Sequence, residues 1–385
     1  MVIYDMEREA RRTLLSLSPD YQRGVYVDDY EIIVVDNGSP RPFNRGSVAE
    51  FGPNVTYHYL PDANQSPARA MNLGVRLARS DYLALMIDGA RILTPGVLRY
   101  GLCLPQLFPR PCGLVLGFHL GPDVQSRSIE RGYDRTREDE LLAAVGWPEA
   151  PYRLFEISSP HDLTDGWFHL VGESNFTFVH RDILERVGGF DERYLSVGGG
   201  HVNVDVQTSI YEQPDVDPVM LLGEGTFHQF HGGATSGKPP DAVNSLVIGF
   251  DAEYRAIRGR AFEGEAKRRP HYVGHVPEEA MDLLARFVGA ANPELLESRR
   301  LIRDLHGEVA RRDRMLEALH AEQASSRETL RSLHEELATR DRAIAEVRTR
   351  LEWRDSGPRA RCGGAEGFAN PSAVLSQRAS ERGLP

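Results

Sequence analysis

The sequence is poor in cysteine, in long apolar runs and in positive charge, and each shortage excludes something. Cys103, Cys112 and Cys362 are the only three cysteines in 385 residues, with neither a disulfide framework nor a metal-binding spacing, which fits a reducing cytoplasm. No apolar stretch approaches the ~20 residues that a membrane-spanning helix needs. The N-terminus, Met1-Val2-Ile3-Tyr4-Asp5-Met6-Glu7, lacks the basic region and apolar core of a secretory signal and reads as a first strand entered partway. Arg and Lys number 45 against 56 Asp and Glu, a net charge of −11. That balance argues against a general nucleic-acid binder, because phosphate binding requires a basic field. The expected location is cytoplasmic, and a peripheral place at the inner face of a membrane is compatible with it. What is present is ordinary for a globular chain, 41% hydrophobic and 26% charged residues, with length enough for one large or two medium domains.

The chain is organised around Tyr30-Glu31-Ile32-Ile33-Val34-Val35-Asp36, followed by Asn37-Gly38-Ser39-Pro40. A β-branched run of this length reads as a strand buried on both faces, as in a parallel α/β sheet. Asp36 then stands at the carboxyl end of the strand, the edge where open α/β sheets bind ligands. The plain alternative is an Asp that forms its own turn. Around this strand, residues 2–4 read as a short strand, 7–17 as a helix and 55–60 as a strand. Ser66-Pro67 reads as the start of a helix running to Ala78, with Pro at its first position. Residues 81–88 read as a buried strand stopping on Asp88, 93–98 as a helix start, and 114–119 as a strand. Alternating strands and helices predict a doubly wound sheet, with Asp36 and Asp88 gathered at one edge.

Residues 121–166 are polar and read as an insertion or lid. Strand pieces follow over 167–180, a short helix at 182–187, a helix carrying Asn203 and Asp205 in its first turns, and a last short strand at 219–222. Beyond a helical extension at 241–293, the composition turns to Arg, Glu, Leu and Ala. With Ile302 as a, the a positions are Ile302, Val309, Leu316, Gln323, Leu330, Leu337, Ile344 and Leu351. The d positions are Leu305, Arg312, Leu319, Ser326, Leu333, Arg340 and Val347. No proline interrupts 294–354 and the heptad never skips, which predicts a coiled coil and with it a homodimer or a coiled-coil partner. Gln323 with Ser326 forms a polar layer in its middle. Residues 355–385, rich in Gly, Ala, Ser and Arg without period, read as a disordered tail.

Five pieces, in this order, resemble the family-2 glycosyltransferases of the GT-A fold. They are Glu31 to Ser39, Ala68-Arg69-Ala70-Met71-Asn72-Leu73-Gly74, Asp88 with Pro95-Gly96, Gly188-Gly189-Phe190-Asp191-Glu192, and His228-Gln229. The resemblance spans residues 2–235 and implies a transferase domain over 1–240, built on a mixed, mainly parallel, Rossmann-like sheet flanked by helices. It implies a nucleotide-sugar donor, a UDP-sugar foremost, held by Asp36 at the base, by Arg69 and Asn72, and by Asp88. It implies transfer with inversion to a hydroxyl of a saccharide or glycoconjugate, in surface polysaccharide assembly.

The resemblance also implies a divalent cation, Mn²⁺ or Mg²⁺, on the donor diphosphate, with Asp88, His228 and His231 as the candidate ligands. The family's Asp-x-Asp pair is reduced here to Asp88-Gly89-Ala90, which weakens that expectation. A general base is needed to deprotonate the acceptor. Asn203 falls where the family places it, so Asp205 is the first candidate and Glu173, in Gly172-Glu173-Ser174-Asn175, the second. Trp167 is a candidate acceptor platform, against the alternative of a core Trp, and Asp191 is a candidate acceptor contact, against a loop cap. His58, His119, His161, His169, His180 and His201 show no ligand spacing. A reading of another class stays open, a catalytically degenerate domain acting as a binding or scaffold module through its coiled coil. A sugar nucleotidyltransferase would require a glycine-rich basic loop, which residues 5–12 lack.

Overall fold

The structure is a computed structural model, and it describes residues 1–355 apart from 44, 45, 47, 49, 162–165, 174, 175, 234–236, 239, 263–267 and 289–294. The expected disordered tail therefore lies outside the described residues, save Asp355, the last residue of a helix. The chain divides into two compact units, Met1–His320 and Ala321–Pro385.

Among the described residues, the first unit carries two sheets. The smaller is wholly parallel, in the order β1 (Val2–Ile3), β2 (Ile32–Asp36), β3 (Val55–Tyr59), with Ile3 opposite Asp36 and Asp36 opposite Tyr59. Val34 and Val35 are buried, as a β-branched run sealed on both faces should be. The larger sheet takes in β4 (Tyr82–Leu85), β5 (Arg91–Leu93), β6 (Pro111–Leu120), β7 (Ser158–Pro160), β8 (Thr177–His180), β9 (Asp217–His228) and β10 (His271–Gly274). Its backbone order is β10-β9-β6-β8-β4, with β5 on β9 and β7 on β6. The β6–β9 and β9–β10 pairs are parallel, whereas β4–β8, β6–β8, β5–β9 and β6–β7 are antiparallel. The large sheet is thus mixed rather than mainly parallel, and only the small sheet keeps the predicted pattern. β10 comes from the segment expected to be a helical extension, which also forms the helices Pro240–Arg258 and Met281–Val288.

Three differences from the sequence reading bear on the site. First, β4 closes three residues before Asp88. The chain leaves β8 there and runs beside β1, where Val2 N donates to Met86 O (3.0 Å) and Gly89 N donates to Val2 O (2.8 Å). Asp88 and Asp36 therefore do share the carboxyl edge of the small sheet. Second, β9 does not end at Leu222. Gly223 takes φ +73° and kinks it, and an added Cβ would lie 1.8 Å from His275 O, so glycine is required. Before the kink β9 pairs with β10, and after it with β5, ending on His228.

Third, the described residues of the 121–166 segment carry regular structure. They form the helices Gln125–Glu130 and Arg135–Ala144, a 3₁₀ turn over Pro151–Ile157 and β7. The segment reads as polar because its carboxylates hold the first helix, Glu7–Ser16. Arg8 pairs with Glu138 at 2.9 Å and with Asp139 at 2.9 Å, and Arg12 reaches Asp139 at 2.5 Å.

In the second unit the described residues are helical, within the helix Leu295–Asp355. Leu330, Leu333, Leu337, Ile344, Val347 and Leu351, all predicted a and d positions, are exposed. No second helix covers them among the described residues, so the helix is found and its pairing is not.

Candidate active site

The site assembles where the 86–91 turn meets the end of β9. Thr13 holds both. Its hydroxyl lies 2.6 Å from Gly89 O, and it accepts from Arg91 N (3.1 Å) and from Gln229 Nε2 (3.3 Å). Gln229 also donates to Glu9 O (3.0 Å), and its backbone N donates to Ala90 O (2.8 Å). Phe230 is clamped in turn, with its N donating to Glu138 Oε2 (2.6 Å) and its O accepting from Arg8 (3.1 Å). A small polar residue on the first helix thus ties two distant turns into register.

Held this way, Asp88, His228 and His231 converge. Their ligand atoms all lie within 4.8 Å of one another. His228 Nε2 is 2.9 Å from Asp88 Oδ2 and 3.2 Å from His231 Nε2, and His231 Nε2 is 3.7 Å from Asp88 Oδ1. Arg91 stands beside them, buried, with Nε 3.7 Å from Asp88 Oδ2. Burial opposes the charge of Asp88, but His231, His228 and Arg91 together outweigh it and hold the carboxyl well below its usual range. Burial pushes His228 down to about 4 against the pull of Asp88. A neutral imidazole and an ionised carboxylate are the protonation states that metal ligands need. One carboxylate and two imidazoles fit a divalent cation. Ala90 is fully buried at the position expected to carry the second acid, so His231 rather than a carboxylate completes the set.

Two further residues escaped the sequence reading. Gln125 accepts from His228 Nδ1 at 3.0 Å. His119, passed over for lack of ligand spacing, is the cross-strand partner of His228 in β6, with rings 5.3 Å apart. It stacks on His161 at 4.9 Å, and His161 Nε2 lies 3.3 Å from Glu173 Oε2. Glu173 is therefore linked to the cluster through a row of imidazoles, while its neighbours Ser174 and Asn175 lie outside the described residues. Cross-strand contacts leave no trace in sequence spacing. For Gln125, nothing in the polar segment marks one residue above another.

The remaining candidates are placed elsewhere. Asp36 is fully buried and its carboxylate is used by its own turn, accepting from Ser39 N (2.8 Å), Tyr57 OH (2.7 Å) and Phe43 N (3.4 Å). These contacts are those of the turn-forming alternative. Arg69 is exposed and donates to Asp62 O. Asn72 clips the Gly-Gly-Phe-Asp-Glu turn, donating to Phe190 O (2.8 Å) and Glu192 (2.9 Å) and accepting from Phe190 N (3.1 Å). Asp205 is buried in a forked ion pair with Arg258, so a role as free general base is replaced by a structural one. Asp191 lies between Arg193 (2.7 Å) and Arg258 (3.5 Å). The hydrogen bond from Arg193 holds its carboxyl below the usual range. Trp167 is a core residue rather than a platform, packed on Phe118 and Phe155 with Nε1 donating to Glu224 O (3.0 Å).

Among described residues, no helix is long and apolar enough to cross a membrane. No curated protein sequence matches the chain. Solved structures similar to it include S. aureus TarS 1-349 in complex with UDP-GlcNAc, at 11% identity and TM-score 0.43, covering 66% of this chain and 65% of that one. S. aureus TarS 1-349 itself matches at 12% identity and TM-score 0.41, covering 66% of this chain and 64% of that one. S. aureus TarS matches at 10% identity and TM-score 0.42, covering 76% of this chain and 49% of that one. The chain thus spans less than two thirds of the length of these structures. Residues 1–88, a stretch that ends on the carboxylate of the cluster, match the family model for glycosyl transferase family 2.

Proposed function

We propose that the protein is a glycosyltransferase that moves a sugar from a nucleotide-sugar, a UDP-sugar foremost, to a hydroxyl of a saccharide or glycoconjugate, with inversion, in surface polysaccharide assembly. One observation carries the reading: the family match ends at Asp88, and Asp88 meets His228 and His231 from 140 residues further on. A divalent cation, Mn²⁺ or Mg²⁺, held by these three residues would neutralise charge on the departing diphosphate. Arg91 adds a fixed positive charge beside them. With the carboxyl of Asp88 held well below its usual range and His228 pushed down to about 4, both are weak proton acceptors for an attacking hydroxyl. Glu173, paired with His161, is the better candidate for the base now that Asp205 is bound by Arg258. Arg69 remains a candidate donor contact, and Asn72 supports the site through the turn at 190–192. The exposed heptad face of the C-terminal helix supports self-association or a coiled-coil partner.

A second reading, a degenerate domain kept as a binding module, is favoured by the engagement of Asp36 and Asp205 in internal contacts. A donor-hydrolysis assay on the full chain, with a panel of nucleotide-sugars with and without Mn²⁺, separates the two. Turnover of at least one donor is expected. No binding and no turnover for any donor would remove the enzyme reading.

A further inference from the structure

Gln125 offers nothing to a ligand, yet it decides what His228 can be. It is almost fully buried, and it meets His228 twice. Its Nε2 donates to His228 O at 2.9 Å, and its Oε1 lies 3.0 Å from His228 Nδ1. A carboxamide has one donor end and one acceptor end. A backbone carbonyl only accepts, so the NH₂ end must face His228 O. Oε1 therefore faces Nδ1, and since Oε1 only accepts, Nδ1 must carry the hydrogen. In a neutral imidazole Nε2 is then bare. That bare nitrogen points at Asp88 Oδ2 across 2.9 Å and at His231 Nε2 across 3.2 Å. A carboxylate oxygen and a bare imidazole nitrogen this close repel each other unless a positive centre satisfies both.

We infer that Gln125 is a positioning residue that locks His228 in the Nδ1–H tautomer, and that the locked set, two imidazole nitrogens and one carboxylate, takes a transition-metal ion in preference to Mg²⁺. The inference rests on the reading of Asp88, His228 and His231 as the cation site of the transferase. The preference follows from the donor set. Mg²⁺ demands oxygen ligands and keeps its waters, whereas imidazole nitrogen favours ions such as Co²⁺ and Zn²⁺, with Mn²⁺ between. The lock lies in the polar segment 121–166, at the first residue of the short helix Gln125–Glu130.

The test uses the full chain labelled with ¹⁵N-histidine and no nucleotide-sugar. A long-range ¹H–¹⁵N spectrum, with His228 assigned by its loss in His228→Asn, should show a pyrrole-type nitrogen at Nδ1 and a pyridine-type nitrogen at Nε2. A pyrrole-type signal at Nε2 overturns the inference whatever the variants do. Calorimetric titration with Co²⁺, Mn²⁺ and Mg²⁺ gives the second readout. Gln125→Leu should bind Co²⁺ about 10–100-fold more weakly, the usual cost of losing a partner behind a metal ligand. Gln125→Glu, protonated on the oxygen that faces His228 O, keeps both the donor to that carbonyl and the acceptor toward Nδ1 and should retain the affinity. Wild-type affinity in Gln125→Leu overturns the positioning role, and equal affinity for Mg²⁺ and Co²⁺ overturns the selectivity. If Gln125→Leu does not fold, the wild-type spectrum decides alone. Intact tautomer and metal binding with no turnover of any donor would instead count against the transferase reading and leave this inference standing.

Discussion

Burial works against the charge of Asp88, and the charge survives because His231, His228 and Arg91 surround it. Asp88→Asn removes the only carboxylate of the cluster and is expected to lower both Co²⁺ or Mn²⁺ affinity and sugar transfer by at least about 100-fold, read by calorimetry and by donor turnover. Glu224 is the opposite case. It is fully buried at the β9 kink, accepting from Thr94 Oγ1 (2.5 Å), Tyr152 OH (2.9 Å) and Gly96 N (3.1 Å). Burial pushes its carboxyl up to about 7 from a usual 4.5 despite those donors. The folded chain then holds the proton more tightly than the unfolded chain, so this group's stabilisation is present below about pH 4.5 and is lost as pH climbs to 7. A shift of this size corresponds to roughly 3 kcal/mol at most. His228, lowered by burial, titrates with the opposite sign, so the wild-type curve alone mixes the two. Melting curves from pH 4 to 8 on Glu224→Gln beside the wild type isolate the contribution of this carboxyl. The variant is expected to gain stability relative to the wild type as pH rises, and a constant difference would show that Glu224 is not raised.

Gly223 shows how one element positions another. Its kink lets β9 leave β10 and finish beside β5, which delivers His228 to Asp88. Gly223→Ala forces a Cβ against His275 O and strains a positive φ, so a loss of about 3–5 kcal/mol is expected, with weaker metal binding in whatever folds. Denaturant titration measures the first and calorimetry the second. Elements with their own periodicity were legible from sequence: the strand at 32–36, the helices at 7–16, 68–77 and 202–211, and the long C-terminal helix. The continuation of β9 was not, because Gly-Glu-Gly carries every local sign of a turn, and the strand goes on there through pairing with β5 and β6, which are distant in sequence. The cluster Asp88, His228 and His231 was legible because its residues fall in motif positions. The contacts of Asp36 and Asp205 were not legible, since a sequence shows where an acid stands and not which donors meet its oxygens, here Ser39, Phe43 and Tyr57 in one case and Arg258 in the other.

For the molecule as a whole, the second unit carries a prediction that the first does not need. Six apolar side chains at a and d positions, from Leu330 to Leu351, are exposed along the helix. Burying such a seam against a second copy is worth about 25 cal/mol per Å² of apolar surface. The full chain is expected to be a dimer by light scattering and a chain ending at His320 a monomer; Leu333→Glu with Leu337→Glu should give the monomer without truncation. Equal particle mass for the full chain and the double variant would remove the self-association. Leu316 is buried within the first unit, which is why the cut belongs after His320 and not earlier. The ties made by the first helix bear on biosynthesis too. Gln229 reaches Glu9 across 220 residues of chain, and Arg8 reaches Phe230 across 222. At 5–20 residues per second, a ribosome needs about 10–40 s to supply the partner of a helix it made at the start. Until then Thr13 and Glu9, buried in the finished fold, have no Gln229 to meet, and the first helix must wait in a provisional state. Hydrogen-exchange pulse labelling during refolding should find that helix among the last segments protected, because its partners lie farthest along the chain.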